Sequence, residues 1–225
     1  LPTYDPNDLT THDFDAARET YARLDRDARQ PLLNRAIQTR LFPGSTFKVV
    51  TAAAAIENGL YSGDDQVPSG ATFQTPGTTG QNNVIDNEGR FLCNPAEISF
   101  ATAMAQSCNT AFAKMAVELG PEKLRETAEA FGFNSDYLLD LSPQARSVYP
   151  TGPDGEELND AQTAQTGFGQ FEVQATPLQM AMVVAALANR GTLMRPYLVD
   201  EVQSAEYETL ERTDPDEIRD AVSPI

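Results

Sequence analysis

The most constraining stretch in this sequence is Leu41-Phe42-Pro43-Gly44-Ser45-Thr46-Phe47-Lys48, which runs straight into Val49-Val50-Thr51-Ala52-Ala53-Ala54-Ala55-Ile56. A Pro-Gly turn ahead of an apolar, alanine-rich run predicts a helix starting at Ser45. Asn58-Gly59 ends it, with glycine as the C-cap. Because almost every residue after Lys48 is apolar, this helix is expected to be buried nearly all round. Positions i and i+3 share one helix face, so the Ser45 hydroxyl and the Lys48 amine should lie side by side. Ser45 also falls at the helix start, where N–H groups point outward and the dipole favours negative charge. A hydroxyl with an amine beside it and N–H donors behind it is what nucleophilic acyl transfer needs. Taken alone, Ser-x-x-Lys fits a capping serine and a surface lysine equally well. Against that, a lysine entering a buried helix is costly unless paired or used. Only Lys48, Lys114 and Lys123 occur in the chain.

The charge balance narrows the partners. With 33 acidic and 16 basic residues, the net charge of −17 argues against nucleic acid and against an anionic membrane surface. The 225 residues suffice for one large domain or two small ones. No apolar run approaches a membrane span, and Leu1-Pro2-Thr3-Tyr4 begins without the basic start of a signal peptide. A Ser-His-Asp triad would have to use the one histidine, His12, whose acidic surroundings offer it no support and predict an exposed side chain. Cys93 and Cys108 show no metal-ligand spacing.

Along the chain, Leu1-Pro2-Thr3-Tyr4-Asp5-Pro6-Asn7 reads as a strand end leaving into a turn, followed by a short helix around Asp15–Leu24. Pro31 to Ile37 returns the chain to the core. Residues 60–92, rich in Gly, Thr, Asn, Gln and Pro, predict short strands and surface loops, including a small hairpin subdomain. Asn94-Pro95 predicts a capped helix over Pro95–Gln106 with Ile98, Ala101, Met104 and Ala105 on one side. Further helices are expected over Thr110–Leu119 and Glu122–Phe131. Residues 134–160 read as loop, and Gly167-Phe168-Gly169-Gln170 as a turn. Thr176-Pro177 should cap an apolar helix through Asn189. Tyr197–Thr213 suits a β-hairpin, and Asp214–Val222 a short acidic helix.

Ser107-Cys108-Asn109 sits between two apolar helices, where a hydroxyl and an amide could face one cleft or merely satisfy the helix ends. Ser-x-x-Lys followed about 60 residues later by Ser-x-Asn is the motif order of penicillin-recognising serine acyltransferases. More of the chain carries the likeness. Asn34-Arg35-Ala36-Ile37-Gln38 with Phe42 to Ala55 resembles the active-serine region of class B penicillin-binding proteins. Ser107-Cys108-Asn109-Thr110-Ala111-Phe112 resembles their second motif. Gly167-Phe168-Gly169-Gln170 with Ala175-Thr176-Pro177-Leu178-Gln179-Met180-Ala181 resembles their glycine turn and following helix, and Leu1 to Asn7 their strand exit. The cysteine within the second motif, with Cys93 upstream, is similar to the actinobacterial penicillin-binding protein A group.

The resemblance implies an α/β (α+β) fold of the penicillin-binding-protein and serine β-lactamase type. This chain would hold mostly its helical part, with much of the central antiparallel sheet missing. Residues 1–225 would form a partial transpeptidase domain, without the family's membrane anchor, N-terminal dimerisation-type domain and Lys-Thr-Gly strand. No lysine here precedes Thr-Gly or Ser-Gly, and Phe171 stands where the family usually has glycine. The implied activity is D,D-transpeptidation of peptidoglycan stem peptides ending in D-Ala-D-Ala, with acylation by β-lactam antibiotics and no cofactor or metal. Ser45 would be the nucleophile and Lys48 the general base. Ser107 would relay a proton, and Asn109 would hold Lys48 or the substrate amide. The expected setting is the extracytoplasmic face of the bacterial cell membrane, beside a membrane glycosyltransferase of the SEDS type. Export makes a Cys93–Cys108 disulfide the expected pairing, contributing about 3 kcal/mol in the chain-entropy model; the alternative is two buried thiols. Two other functions compete: a serine β-lactamase and a non-catalytic, β-lactam-sensing module. A class A β-lactamase needs a glutamate three residues before Leu158, where this chain has Gly155.

Overall fold

The structure, a computed structural model, describes residues 3–136 and 141–224. Leu1 and Pro2 of the expected strand exit, and residues 137–140 of the expected loop, lie outside that range. The described chain is a helix-rich α/β assembly with short antiparallel strand pairs. Its helices are α1 (Phe14–Asp25), α2 (Arg35–Gln38), α3 (Lys48–Glu57), α4 (Phe100–Ala105), α5 (Asn109–Leu119), α6 (Pro121–Ala130), α7 (Asp160–Thr166) and α8 (Pro177–Ala188). The strands are β1 (Gln66–Pro68), β2 (Thr72–Gln74), β3 (Val84–Asp86), β4 (Glu97–Ser99), β5 (Thr192–Met194), β6 (Glu201–Gln203), β7 (Thr209–Arg212) and β8 (Glu217–Asp220). They pair antiparallel as β1–β4, β2–β3, β5–β8 and β6–β7.

The core lies around α3 and α5. Helix α3 buries Lys48 and every residue from Val50 to Ala55, packing on α5 and α6. Helix α5 buries one face against α3 and another against α7. Alanine and glycine set how closely these helices approach: a Cβ added at Gly167 would lie 2.5 Å from Ala116 Cβ and 2.6 Å from the Phe112 carbonyl oxygen. Beneath the Ser45 turn, the buried Phe47 ring meets Phe133 edge-on at 5.5 Å and stacks on Tyr149 at 6.0 Å. That platform stiffens the turn, since each ring pair adds about 0.5–1.5 kcal/mol beyond its burial.

Several local expectations differ from the structure. Asn94-Pro95 does not start a helix. Glu97–Ser99 is β4, with Ile98 opposite Val67, and the helix begins only at Phe100, where the Ser99 hydroxyl accepts from the Thr102 N–H at 3.1 Å. Consequently Phe100 and Ala103 are buried, while Ala101, Met104 and Ala105 are exposed. Glu217–Asp220, expected as helix, is β8. Pairing with β5 and the inward turn of Ile218 onto the core outweigh the local helix signals. The helices α2 and α7 lie in stretches to which the sequence reading assigns no element, apart from Asp160 at the end of the expected 134–160 loop. Helix α7 is started by a capping box in which Asn159 and Gln162 exchange backbone and side-chain bonds. The hairpin over Tyr197–Thr213 forms as β6–β7, and α8 is capped by the Thr176 hydroxyl.

Candidate active site

Ser45 sits in a 3-10 turn, Gly44–Phe47, rather than in the first turn of the α-helix, which starts at Lys48. The turn still presents residues i and i+3 to each other. Ser45 is exposed, whereas Lys48 is 1% exposed and lies directly beneath it. The turn is held in place by close backbone contact: Gly44 N–H donates to the Gly169 carbonyl at 3.1 Å. A side chain at Gly169 would meet the Gly44 carbonyl oxygen at 2.2 Å, and its φ of +73° favours glycine as well. The Gly167 carbonyl in turn accepts from Thr51 Oγ1 at 2.8 Å, so the Gly167–Gln170 turn is bolted to α3.

The second constellation converges on the same amine. Lys48 Nζ is 2.7 Å from Asn109 Oδ1, 2.8 Å from the Ser107 carbonyl oxygen, 2.9 Å from Ser107 Oγ and 3.1 Å from Ser45 Oγ. Ser107 adopts φ +55°, which aims both its carbonyl and its hydroxyl at Lys48. A non-glycine residue in this region carries a conformational cost, of a kind concentrated at functional sites. The rings of Phe112 and Phe168 close the remaining sides, 5.6 and 6.0 Å from Nζ.

These four partners fix what the amine can do. The Ser107 carbonyl and Asn109 Oδ1 only accept, so each requires an N–H from Lys48. A neutral amine has two N–H groups, and both are consumed there. Its lone pair is then left for the two hydroxyls, Ser45 and Ser107. Burial pushes the Lys48 pKa down from 10.5 to about 8; the nearby Arg90 charge acts in the same direction and Glu88 opposes it. The neutral, proton-accepting form is therefore accessible at mildly alkaline pH.

Asn109 is itself oriented from outside. Its Nδ2 donates to the Asp86 carbonyl at 3.0 Å. Asp86, at the end of β3, and its buried neighbour Asn87 belong to the stretch read from sequence as short strands and surface loops. The signal there was an asparagine ahead of the Glu88-Gly89 turn, where both residues have positive φ. Cys93 and Cys108 are joined by a disulfide, tying this lobe to the Ser107–Asn109 junction. His12 is exposed in the segment before α1. Asn159 is spent capping α7, and Glu156 and Glu157 are exposed. Among the described residues no His, Cys, Asp or Glu cluster could hold a metal, and no helix is long and apolar enough to cross a membrane.

An exposed serine over a buried lysine, with a Ser-x-Asn loop facing both, is an arrangement suited to serine acyl transfer, and comparison with known proteins gives the family. The family model for the penicillin binding protein transpeptidase domain matches residues 1–223. The chain belongs to the penicillin-binding protein transpeptidase family. It is 40% identical over 228 residues to the peptidoglycan D,D-transpeptidase PbpA of Mycolicibacterium smegmatis, covering 99% of this chain and 44% of that protein. Against PbpA of Mycobacterium tuberculosis the identity is 36% over 224 residues, with the same coverage. The crystal structure of penicillin-binding protein A from M. tuberculosis superposes with a TM-score of 0.85 at 35% identity, over 99% of this chain and 50% of that one. The imipenem acyl-enzyme complex of the M. tuberculosis protein gives 0.84, over 99% and 49%. The chain thus spans less than half the length of the curated relatives it matches.

Proposed function

We propose that this chain carries the nucleophile half of a peptidoglycan D,D-transpeptidase site. The observation that carries the reading is the buried Lys48 amine, whose two obligatory acceptors leave its lone pair to the Ser45 and Ser107 hydroxyls. Ser45 Oγ attacks the carbonyl of the penultimate D-Ala of a stem peptide, and Lys48 takes its proton. The C–N bond to the terminal D-Ala breaks, and the proton passes by way of Ser107 to the leaving amine. An amine of a second stem peptide then attacks the ester carbon. The Ser45–carbon bond breaks and the proton returns to Ser45. The Ser45 N–H, near the start of its turn and without a partner inside the helix, supplies one donor to the developing oxyanion.

β-Lactams would acylate the same serine, as the acyl-enzyme complexes of the M. tuberculosis relative support. The family resemblance supports an extracytoplasmic, membrane-anchored setting and a SEDS-type glycosyltransferase partner for the full-length protein. In the test, a fluorescent penicillin labels the full-length protein and fails to label its Ser45→Ala variant. Labelling that survives the substitution removes Ser45 as nucleophile.

A further inference from the structure

The residue after the Ser107-Cys108 pair depends on a distant side chain for its orientation. Helix α5 begins at Asn109, and its N-cap residue, Cys108, provides no side-chain cap because its sulfur is in the disulfide. The orphan N–H of Thr110 donates instead to Asn87 Oδ1 at 3.1 Å, across 23 residues of chain. Asn87 Nδ2 donates to the Gly70 carbonyl at 2.8 Å. The Thr110 hydroxyl lies within bonding distance of both groups, 2.8 Å from the Gly70 oxygen and 3.1 Å from Asn87 Oδ1. Asn87 is 2% exposed, and both its amide oxygen and its amide nitrogen are hydrogen-bonded. The peptide preceding it supplies the Asp86 carbonyl that receives Asn109 Nδ2.

We propose that Asn87 is a positioning residue of this site: it caps α5 from outside and holds the Asp86 carbonyl where it fixes the Asn109 amide with its oxygen toward Lys48. A turned-over amide would set Nδ2 against the Lys48 amine and Oδ1 against the Asp86 carbonyl, opposing like partners at both ends. The Asn109 oxygen is one of the two obligatory acceptors of Lys48, so Asn87 governs how many N–H groups the amine must spend. The catalytic consequence rests on reading Lys48 as the base of an acyl-transfer site, whereas the orientation of Asn109 does not.

The test titrates Lys48 directly in the full-length protein labelled with 13C at lysine Cε, its resonance assigned by its loss in Lys48→Arg. No variant compared substitutes the charged groups facing Lys48, Arg90 and Glu88, and the Arg90 guanidinium is bonded to the Asn87 backbone carbonyl at 3.0 Å, which every Asn87 variant keeps. In Asn87→Ala the ammonium loses a fixed acceptor, which disfavours the charged form, so the midpoint falls by about half a unit or more. Asn87→Ser keeps an oxygen that can cap Thr110 but has no second group for Gly70, and its midpoint should lie between the two. Ser69→Ala removes a buried bond from the same lobe, Ser69 Oγ to the Cys93 carbonyl at 2.7 Å, and a longer 3.4 Å contact with the Thr110 hydroxyl, but neither bond of the Asn87 amide, and should leave the midpoint unchanged. The proposal is overturned if neither Asn87 variant lowers the midpoint, or if Ser69→Ala lowers it as much. Acylation by a fluorescent penicillin is followed on the same samples. A wild type that titrates as expected but is never acylated rejects the acyl-transfer reading and leaves the Asn87 result standing.

Discussion

Two of the three lysines are withdrawn from solvent, and they are not equivalent. Lys48 and Lys114 both have pKa values lowered by burial. The Lys114 amine, on α5, donates to the Ser69 carbonyl and lies 5.7 Å from the centre of the Phe73 ring. Its described contacts are a carbonyl and a ring face, neither of which has a proton to give. Lys48 faces two carbonyl-type acceptors and, beyond them, two hydroxyls. Desolvation depresses a lysine wherever it is buried. What separates a base from a structural lysine is a hydroxyl placed where the lone pair must point.

Substitution sharpens that contrast. Lys48→Met should lower the acylation rate by roughly 10²–10⁴-fold, the usual contribution of a positioned general base. Stopped-flow or gel-based labelling reads it; a loss below tenfold would put Lys48 on the same footing as Lys114. Stability provides the next effect. An unfolded lysine holds its proton to pH 10.5, while folded Lys48 releases it near pH 8, so the unfolded state binds more protons in between. The folded protein should therefore gain stability as pH rises from about 8 towards 10.5, with the cost of burying the charge fully present below pH 8. That cost is of the order of 3 kcal/mol. Denaturant titrations across this window should lose most of their slope in Lys48→Met and keep most of it in Lys114→Met. The smallest effect is on activity: Lys114→Met should leave the acylation rate within about threefold of wild type, since no nucleophile depends on that amine.

The site was more legible in sequence than the strands around it. Ser45 and Lys48 could be placed because i, i+3 spacing brings side chains together in a 3-10 turn as in an α-helix. Asn109 could be placed only by the likeness of Ser107-Cys108-Asn109 to the family's second motif, since the residues alone fit a polar helix junction as well. The strand β4 could not, because Asn94-Pro95 carries a strong local helix signal and the partner that overrides it, Val67, is distant in sequence. Glu217–Asp220 failed likewise, its partner β5 lying across the hairpin β6–β7. Asn87 was hidden for a different reason. A buried asparagine capping another element looks, in sequence, like any other turn residue.

If a neutral Lys48 amine takes the Ser45 proton, the acylation rate must follow the neutral fraction of Lys48. The pH dependence of the acylation rate by a fluorescent penicillin, measured on the full-length protein with enzyme stability controlled at each pH, tests that transfer most directly. The predicted profile rises with pH on a single limb whose midpoint lies near the Lys48 value of about 8. A rate that is flat or falling from pH 6 to pH 9 would contradict it.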